Sequence, residues 1–427
     1  MSQKVCMFVW NHFTNDARVL RECSSLVEAG YEVDLIAIHD RKNTGLKKKE
    51  LRKEGFTVIR VNNQFPLLQM VLGGARKIKH SVALQVVTLI VSALLIWKLP
   101  LLMLSFIVLM ALFLTKKVRT FMVRGYIASQ MVKFGLKKNY DLYHSNDLNT
   151  LPQGLVCAKL LRRKKLVYDS HEVQTSRTGY NSPLYGIMER FYIKFVDVMI
   201  AENHTRAQYT EELYNLYPEV IHNYPFVVKP EFSESINLHE KLNISPDEPI
   251  LLYQGGIQIG RGLDKLVQAA PLFKKGVLVF IGDGRIKPEL EKAVKEQGLE
   301  ERVKFLPKVP VEDLMHYTKN AYLGFQVLNN ICFNHYSASS NKLFEYMMSG
   351  VPVIACSFPE IQRVVETEKV GVCVDSHDPK SIAEGVNYLL DHPEVREQMM
   401  QNCFQAREKY NWNEEKKSFI EIYRKLA

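Results

Sequence analysis

Apolar residues in this chain alternate between short unbroken runs and longer stretches at helical spacing. Residues 4–10, 32–38 and 56–61 read as buried strands. Between the first two, Asn15 or Asp16 is placed to cap a helix with Val19, Leu20, Cys23, Leu26 and Val27 on one face, ended by Gly30. Strand, helix, strand with short links opens a doubly wound parallel sheet, whose ligands sit at the carboxyl ends of the strands. The first such end, residues 11–16, has no glycine, which excludes a GxGxxG dinucleotide site there. Asn15 and Asp16 are its candidate contact residues.

The pattern resumes with a helix over 126–136, a strand over 141–145 whose end is marked by His144 and Asp147, and a helix over 148–161. A strand over 165–169 runs into Asp169-Ser170-His171-Glu172. Strands over 196–202 and 220–224 follow, joined by a helix after His204. Residues 225–249 lose periodicity and gain prolines and acidic residues, as a linker does. A second sheet then begins. Residues 250–254 lead into Gly255-Gly256 and Gly260-Arg261-Gly262; residues 276–281 lead into Gly282-Asp283-Gly284; strands over 303–306 and 322–327 follow. Helices over 379–390, 393–410 and 412–426 close the chain.

One region fits neither sheet. Residues 82–97 and 99–114 are almost wholly apolar, separated by Lys98 and followed at once by Pro100. Arg76, Lys77, Lys79 and His80 precede them; Lys116, Lys117, Arg119 and Arg124 follow. Strands on both sides of the insertion belong to one sheet, so both of its ends lie on one side of any membrane. Each arm, as a helix, reaches about 24 Å against a hydrocarbon core of about 30 Å. A monotopic or re-entrant hairpin bending at 98–100 fits, and the basic flanks place both ends on the cytoplasmic face. The alternative is a buried core hairpin or a dimer interface.

Residues 339–355, SSNKLFEYMMSGVPVIA, carry the candidate chemistry. Ser339, Ser340 and Asn341 are cap candidates, while Leu343, Phe344, Met347 and Met348 recur at helical spacing. Gly350 ends the helix and a short buried strand follows. A helix start beside Lys342, with Glu345 on the same face as Asn341, is suited to a diphosphate and its neighbouring ribose. The plainer reading is a surface helix with a Lys342–Glu345 pair.

Size and composition narrow the field. A chain of 427 residues suggests two domains. Seven cysteines without a CxxC argue for a reduced compartment and against both a disulfide framework and a zinc site. The N-terminus enters a strand directly and does not read as a signal peptide. A net charge of +10 points to a polyanionic partner. The basic residues cluster around the apolar insertion without interleaved aromatics, which favours an anionic membrane surface over nucleic acid.

NKLFEYMMSGVPVIA resembles the donor-binding segment of the retaining GT-B glycosyltransferases of family four. DLYHSNDLNTLPQG, LVYDSHE, LLYQGGIQIGRGL and the closing YNWNEEKKSFIEIYRKLA resemble the same family, so the likeness covers nearly everything except 66–123. It implies two facing Rossmann-like domains with a central cleft: an N-terminal acceptor-side domain over 1–226, a linker over 227–248, a nucleotide-sugar domain over 249–408, and a helix over 409–427 crossing back. By resemblance, Glu345 binds the ribose, Gly255, Gly256, Arg261, Ser340, Asn341 and Lys342 hold the donor, and His171 is the catalytic-pocket histidine. Asn15, Asp16, His144 and Glu172 become acceptor-side candidates. The chain departs from the family in three places: the turn over 11–16 lacks the glycines often found there, Gly256 stands where an arginine is usual, and Ser337 where a first glutamate is usual.

The resemblance implies transfer of a hexosyl or N-acetylhexosaminyl group, with retention, from a nucleotide sugar. No cofactor is expected, and since no Asp-x-Asp occurs, no metal. The apolar insertion adds a membrane-anchored acceptor, a polyprenyl-diphosphate-linked sugar or glycolipid, in surface polysaccharide or cell-envelope glycan synthesis. The rival readings are a non-catalytic membrane-bound nucleotide-binding partner, which Ser337 would favour, and a nucleotide-sugar epimerase on the same fold.

Overall fold

The computed structural model describes all residues except 1, 41, 42, 44, 177–182, 228–235, 311, 312 and 427, and the side chains of 106–110, 112 and 114. The chain divides into two compact units. One comprises Met1–Asp169, Phe191–Met199 and Leu426–Ala427, the other Ser170–Arg190 and Ile200–Lys425.

The first sheet contains β1 (Lys4–Phe8), β2 (Glu32–Ile38), β3 (Lys49–Leu51), β4 (Thr57–Val61), β5 (Leu142–Asn146), β6 (Lys165–Ser170), β7 (Val198–Ala201) and β8 (Glu219–Val220). Its order is β3-β4-β2-β1-β5-β6-β7-β8. β1 pairs in parallel with β2 and β5, and the edge pair β3–β4 is antiparallel. β3 escapes a reading by pattern because Lys-Glu-Leu on an edge shows no apolar alternation. β8 is shorter than the apolar run 220–224. Beyond it Tyr224 is buried by packing, stacked on His222 at 4.8 Å and against Phe344 at 4.6 Å.

The helix α1 (Ala17–Glu28) is capped by Asp16, whose carboxylate accepts from the Val19 N–H at 3.1 Å and from Asn11 Nδ2 at 2.7 Å. Asp16 is therefore a helix cap, and Asn15 beside it is exposed. His144 lies inside β5 rather than at its end and is fully buried. Around it Arg18 binds both oxygens of Asp169, at 2.8 and 2.9 Å, and Glu22 at 3.0 Å. Glu22, His144 and Asp169 bring ligand-type atoms within 4.8 Å of one another. The Arg18 guanidinium bridges the two buried carboxylates, which makes this a structural ion cluster within the first unit. His144 is corrected from a contact residue to a core residue.

The apolar insertion forms helices. α2 (Pro66–Lys79) meets α3 (Val82–Lys98) at 109°, α3 breaks at Leu99 before α4 (Pro100–Leu114), and α5 (Lys116–Gly135) returns to the sheet. The break falls where Pro100 removes a helical donor. α3 has no buried residue, and Trp97 and Leu101 are 75% and 79% exposed. Among the described residues no single helix is long and apolar enough to cross a membrane.

The second sheet has β9 (Ile250–Gln254), β10 (Val277–Ile281), β11 (Val303–Leu306), β12 (Leu323–Gln326), β13 (Val353–Cys356) and β14 (Gly371–Val374), in the order β11-β10-β9-β12-β13-β14. Every pair in it is parallel. Within the stretch read as a linker, residues 228–235 lie outside the described residues. Leu238–Leu242 forms a short helix whose Leu238 is fully buried. Five residues are too few to show a period.

The helix Asn341–Met348 packs on this sheet through Leu343, Phe344, Tyr346 and Met347, all buried. It ends as its sequence requires: Gly350 takes φ +70°, and the Val351 N–H reaches back to the Tyr346 carbonyl at 2.9 Å. Tyr346 also locks the helix to β9. Its hydroxyl donates to the Leu252 carbonyl at 2.9 Å and accepts from the Gln254 N–H at 3.1 Å. Tyr346→Phe leaves a buried strand N–H without its acceptor, at a cost of about 1–3 kcal/mol. A melting temperature lowered by a few degrees in calorimetry is the expected result.

Candidate functional site

The turns that follow β9 and β10, the start of the helix Asn341–Met348 and residues 334–340 enclose a pocket of about 580 Å³. Every residue lining it belongs to the second unit. Its floor is backbone. At Gly282, φ +154°, a Cβ would stand 2.0 Å from the Gly255 carbonyl oxygen, so only glycine lets the two strand-end turns close on each other. The stem of Lys342 lies across Gly255, where a Cβ would meet Lys342 Cδ at 3.4 Å.

Two cations face this floor. Lys342, only 8% exposed, carries its ammonium 5.5 Å from the centre of the Tyr253 ring. Arg261 is half-buried beside it. Among the described residues neither has a carboxylate partner within ion-pair distance. Burial, reinforced by the like charge of Arg261 and partly opposed by Glu345, lowers the Lys342 pKa to about 7. Burial also lowers the pKa of His335, whose Nδ1 lies 3.1 Å from the Asn329 carbonyl.

The helix start is open to a ligand. Ser340 is its N-cap, yet its hydroxyl makes no cap bond and donates to Gln326 Oε1 at 2.8 Å. The first-turn N–H groups thus have no side-chain cap, and the positive end of the helix dipole adds to Lys342. Glu345, one turn on, is oriented by a relay: Thr318 Oγ1 donates to Gln254 Oε1 at 2.7 Å, and Gln254 Nε2 donates to Glu345 Oε2 at 2.8 Å. The arrangement offers a dense group of donors for an anion and, next to it, a carboxylate for hydroxyl groups.

The structure brings Gly255, Gly256, Arg261, Ser340, Asn341, Lys342, Glu345 and Glu172 into one lining. On the turn after β6, Glu172 and not His171 lines the pocket; His171 gives its carbonyl to Arg206 at 2.5 Å. Asn15, Asp16 and His144 are not lining residues. Ser337 is fully buried, its hydroxyl donating to the Phe333 carbonyl at 2.8 Å and accepting from Arg206 Nε at 3.2 Å.

Sequence reading missed Glu202, Arg206, Asp283, Lys308, Asn334 and His335. Glu202 follows β7 directly, so the strand-end rule that singled out His171 applies to it equally. Asp283 stood in a turn noted only for its glycines. There the Lys308 N–H at 3.0 Å and Lys287 Nζ at 3.1 Å hold its carboxyl below the usual range. Arg206 and Asn334 carry no local signal.

Residues 234–406 match the family described as Glycosyl transferases group 1. The chain is 25% identical over 319 residues to an uncharacterised glycosyltransferase of Methanocaldococcus jannaschii, covering 70% of this chain and 80% of that one. It is 27% identical over 241 residues to a D-inositol 3-phosphate glycosyltransferase of Xylanimonas cellulosilytica, covering 53% of this chain and 56% of that one. Among solved structures it resembles a sucrose-phosphate synthase from Thermosynechococcus elongatus, with TM-score 0.73, 17% identity and 99% of both chains covered. It also resembles Anabaena HepE in complex with UDP and glucose, with TM-score 0.69, 15% identity, and 99% of this chain and 100% of that chain covered. Residues 234–406 thus resemble the Glycosyl transferases group 1 family, and the chain carries the GT-B glycosyltransferase fold of two Rossmann-like α/β domains.

Proposed function

We propose that this glycosyltransferase takes its sugar from a nucleotide-diphosphate donor bound in the second-unit pocket. The observation that carries the reading is Lys342, an ammonium nine-tenths buried without a counter-charge at an uncapped helix start. A diphosphate there would be the missing counter-charge. Arg261, Lys342 and the helix N–H groups stabilise the negative charge that develops as the sugar–phosphate bond breaks. They supply the positive charge that a metal supplies elsewhere, so the reaction runs without one. Glu345, steadied by Gln254, accepts hydrogen bonds from the ribose. UDP and UDP-glucose complexes of structurally similar proteins support this reading. Transfer proceeds with retention, the departing phosphate taking the acceptor's proton, and the transferred group is of hexosyl or N-acetylhexosaminyl type.

The acceptor is lipid-linked, in the assembly of a surface or envelope glycan at the cytoplasmic face of the membrane. Support comes from the exposed apolar helices α3 and α4. They carry Lys98 at their break and basic residues at both flanks, as a shallow hairpin in an anionic leaflet requires.

Three outcomes test these readings. In a thermal-shift series with nucleoside diphosphates, one of them raises the melting temperature of the wild type and not of Glu345→Ala. At about 100 times its dissociation constant the ligand contributes about 2.7 kcal/mol. No shift with any nucleotide would sink the donor site.

The affinity also depends on pH. Lys342 loses its charge as pH rises through about 7, whereas a bound diphosphate raises its pKa. Binding therefore weakens by up to about tenfold per pH unit above neutrality. Lys342→Met flattens that dependence, as titration calorimetry between pH 6 and 9, set here as the working window of about three units, would show.

Replacing residues 82–114 by a Gly-Ser linker abolishes co-sedimentation with phosphatidylglycerol vesicles while nucleotide binding persists. Unchanged sedimentation would remove the hairpin from the membrane.

A further inference from the structure

We infer that Glu202 reads the hydroxyl groups of the transferred sugar and sets which sugar is accepted, an inference that rests on the donor site proposed above. A sugar attached to the diphosphate presents several hydroxyl donors and needs fixed acceptors on the pocket wall. Four carboxylates line the pocket: Glu172, Glu202, Asp283 and Glu345. Asp283 is committed to Lys287 and the Lys308 N–H, and Glu345 is steadied by Gln254.

Glu202 is held differently. Its Oε2 accepts from Arg206 Nη1, one turn further along the chain, and among the described residues its Oε1 has no protein donor. Arg206 is itself immobile, being 6% exposed. Beyond Glu202 it donates to Ser337 Oγ at 3.2 Å, to the His171 carbonyl at 2.5 Å and to the Asn334 carbonyl at 3.3 Å. Asn334 is pinned in turn, exchanging two hydrogen bonds with the Val173 backbone at 2.8 and 3.0 Å.

Two consequences follow from this clamp. The carboxylate is pre-oriented, so a hydroxyl that meets Oε1 gains a charge-assisted bond without ordering a flexible side chain. Pairing with Arg206 also cancels its charge, so it does not repel a diphosphate in the same pocket as a bare carboxylate would. Ser337 serves as an anchor for Arg206.

The experiment compares wild type, Glu202→Gln and Glu202→Ala by titration calorimetry. The ligands are the nucleoside diphosphate that stabilises the wild type and its nucleotide sugar. Competition assays between the sugar's hydroxyl epimers run in parallel. Glu202→Gln keeps an acceptor for Arg206 and guards against loss of folding, which melting temperatures monitor. The expected result is diphosphate affinity within a few-fold of wild type. Nucleotide-sugar affinity falls about tenfold to a hundredfold in Glu202→Ala, and epimer discrimination falls in both variants.

Folded Glu202→Gln or Glu202→Ala protein with the wild-type ratio of sugar-nucleotide to diphosphate affinity, and wild-type discrimination, would overturn this inference alone. Failure of the wild type to bind any nucleoside diphosphate would overturn the donor site and this inference together.

Discussion

An ammonium group buried beside a guanidinium, with no carboxylate to neutralise either, is costly for a folded protein to maintain. Lys342 is in that position, and much of the second unit is arranged around it. Gly255 and Gly282 press their turns together so that the Lys342 stem crosses backbone rather than side chains. Ser340 turns its hydroxyl to Gln326 and leaves the helix start uncapped. Tyr253 offers a ring face to the charge, a weaker compensation than an anion would give. The lowered pKa is the measure of what remains uncompensated. A site held in this state would gain most from an anionic ligand, which would relieve a strain already present.

Two buried arginines show how the same side chain serves different ends. Arg18 joins Asp169 and Glu22 in a closed cluster within the first unit, where the carboxylates share one guanidinium and the neighbouring His144 is sealed from solvent. Arg206 binds a carboxylate too, yet that carboxylate lines the pocket. Its remaining donors go to two backbone carbonyls and the Ser337 hydroxyl, so it fixes the position of Glu202 rather than closing a core. The difference lies in what the partner faces.

The helices α3 and α4 obey another constraint. Most of their described apolar side chains are exposed, and a soluble protein seldom exposes a contiguous patch of this kind. The break at Leu99 divides the apolar run into two short helices. Their insertion between β4 and β5 leaves the parallel ladder β2-β1-β5 intact, since α5 returns the chain to the sheet.

Periodicity, glycine placement and capping residues determined the two α/β sheets, the helix over 341–348 with its glycine stop, and the two apolar helices with the break between them. These are local properties, set by spacing and by what each backbone position tolerates. The same local logic located Lys342, Glu345, Arg261 and the glycine turns, because they follow strand ends or open a helix. It read Asp16 correctly as a helix cap but misplaced His144 as a contact residue, since polar residues near a strand end look alike whether they face a ligand, cap a helix or join a buried cluster. Only the tertiary structure decided between those fates. It also decided that Glu172 and not His171 lines the pocket, that Ser337 is an anchor, and that Arg206 and Asn334 hold Glu202 in place. The contacts of Arg206 with Ser337 and Asn334, and of Asn334 with Val173, join residues more than a hundred positions apart, and no local rule encodes which buried hydrogen bonds a distant segment will complete.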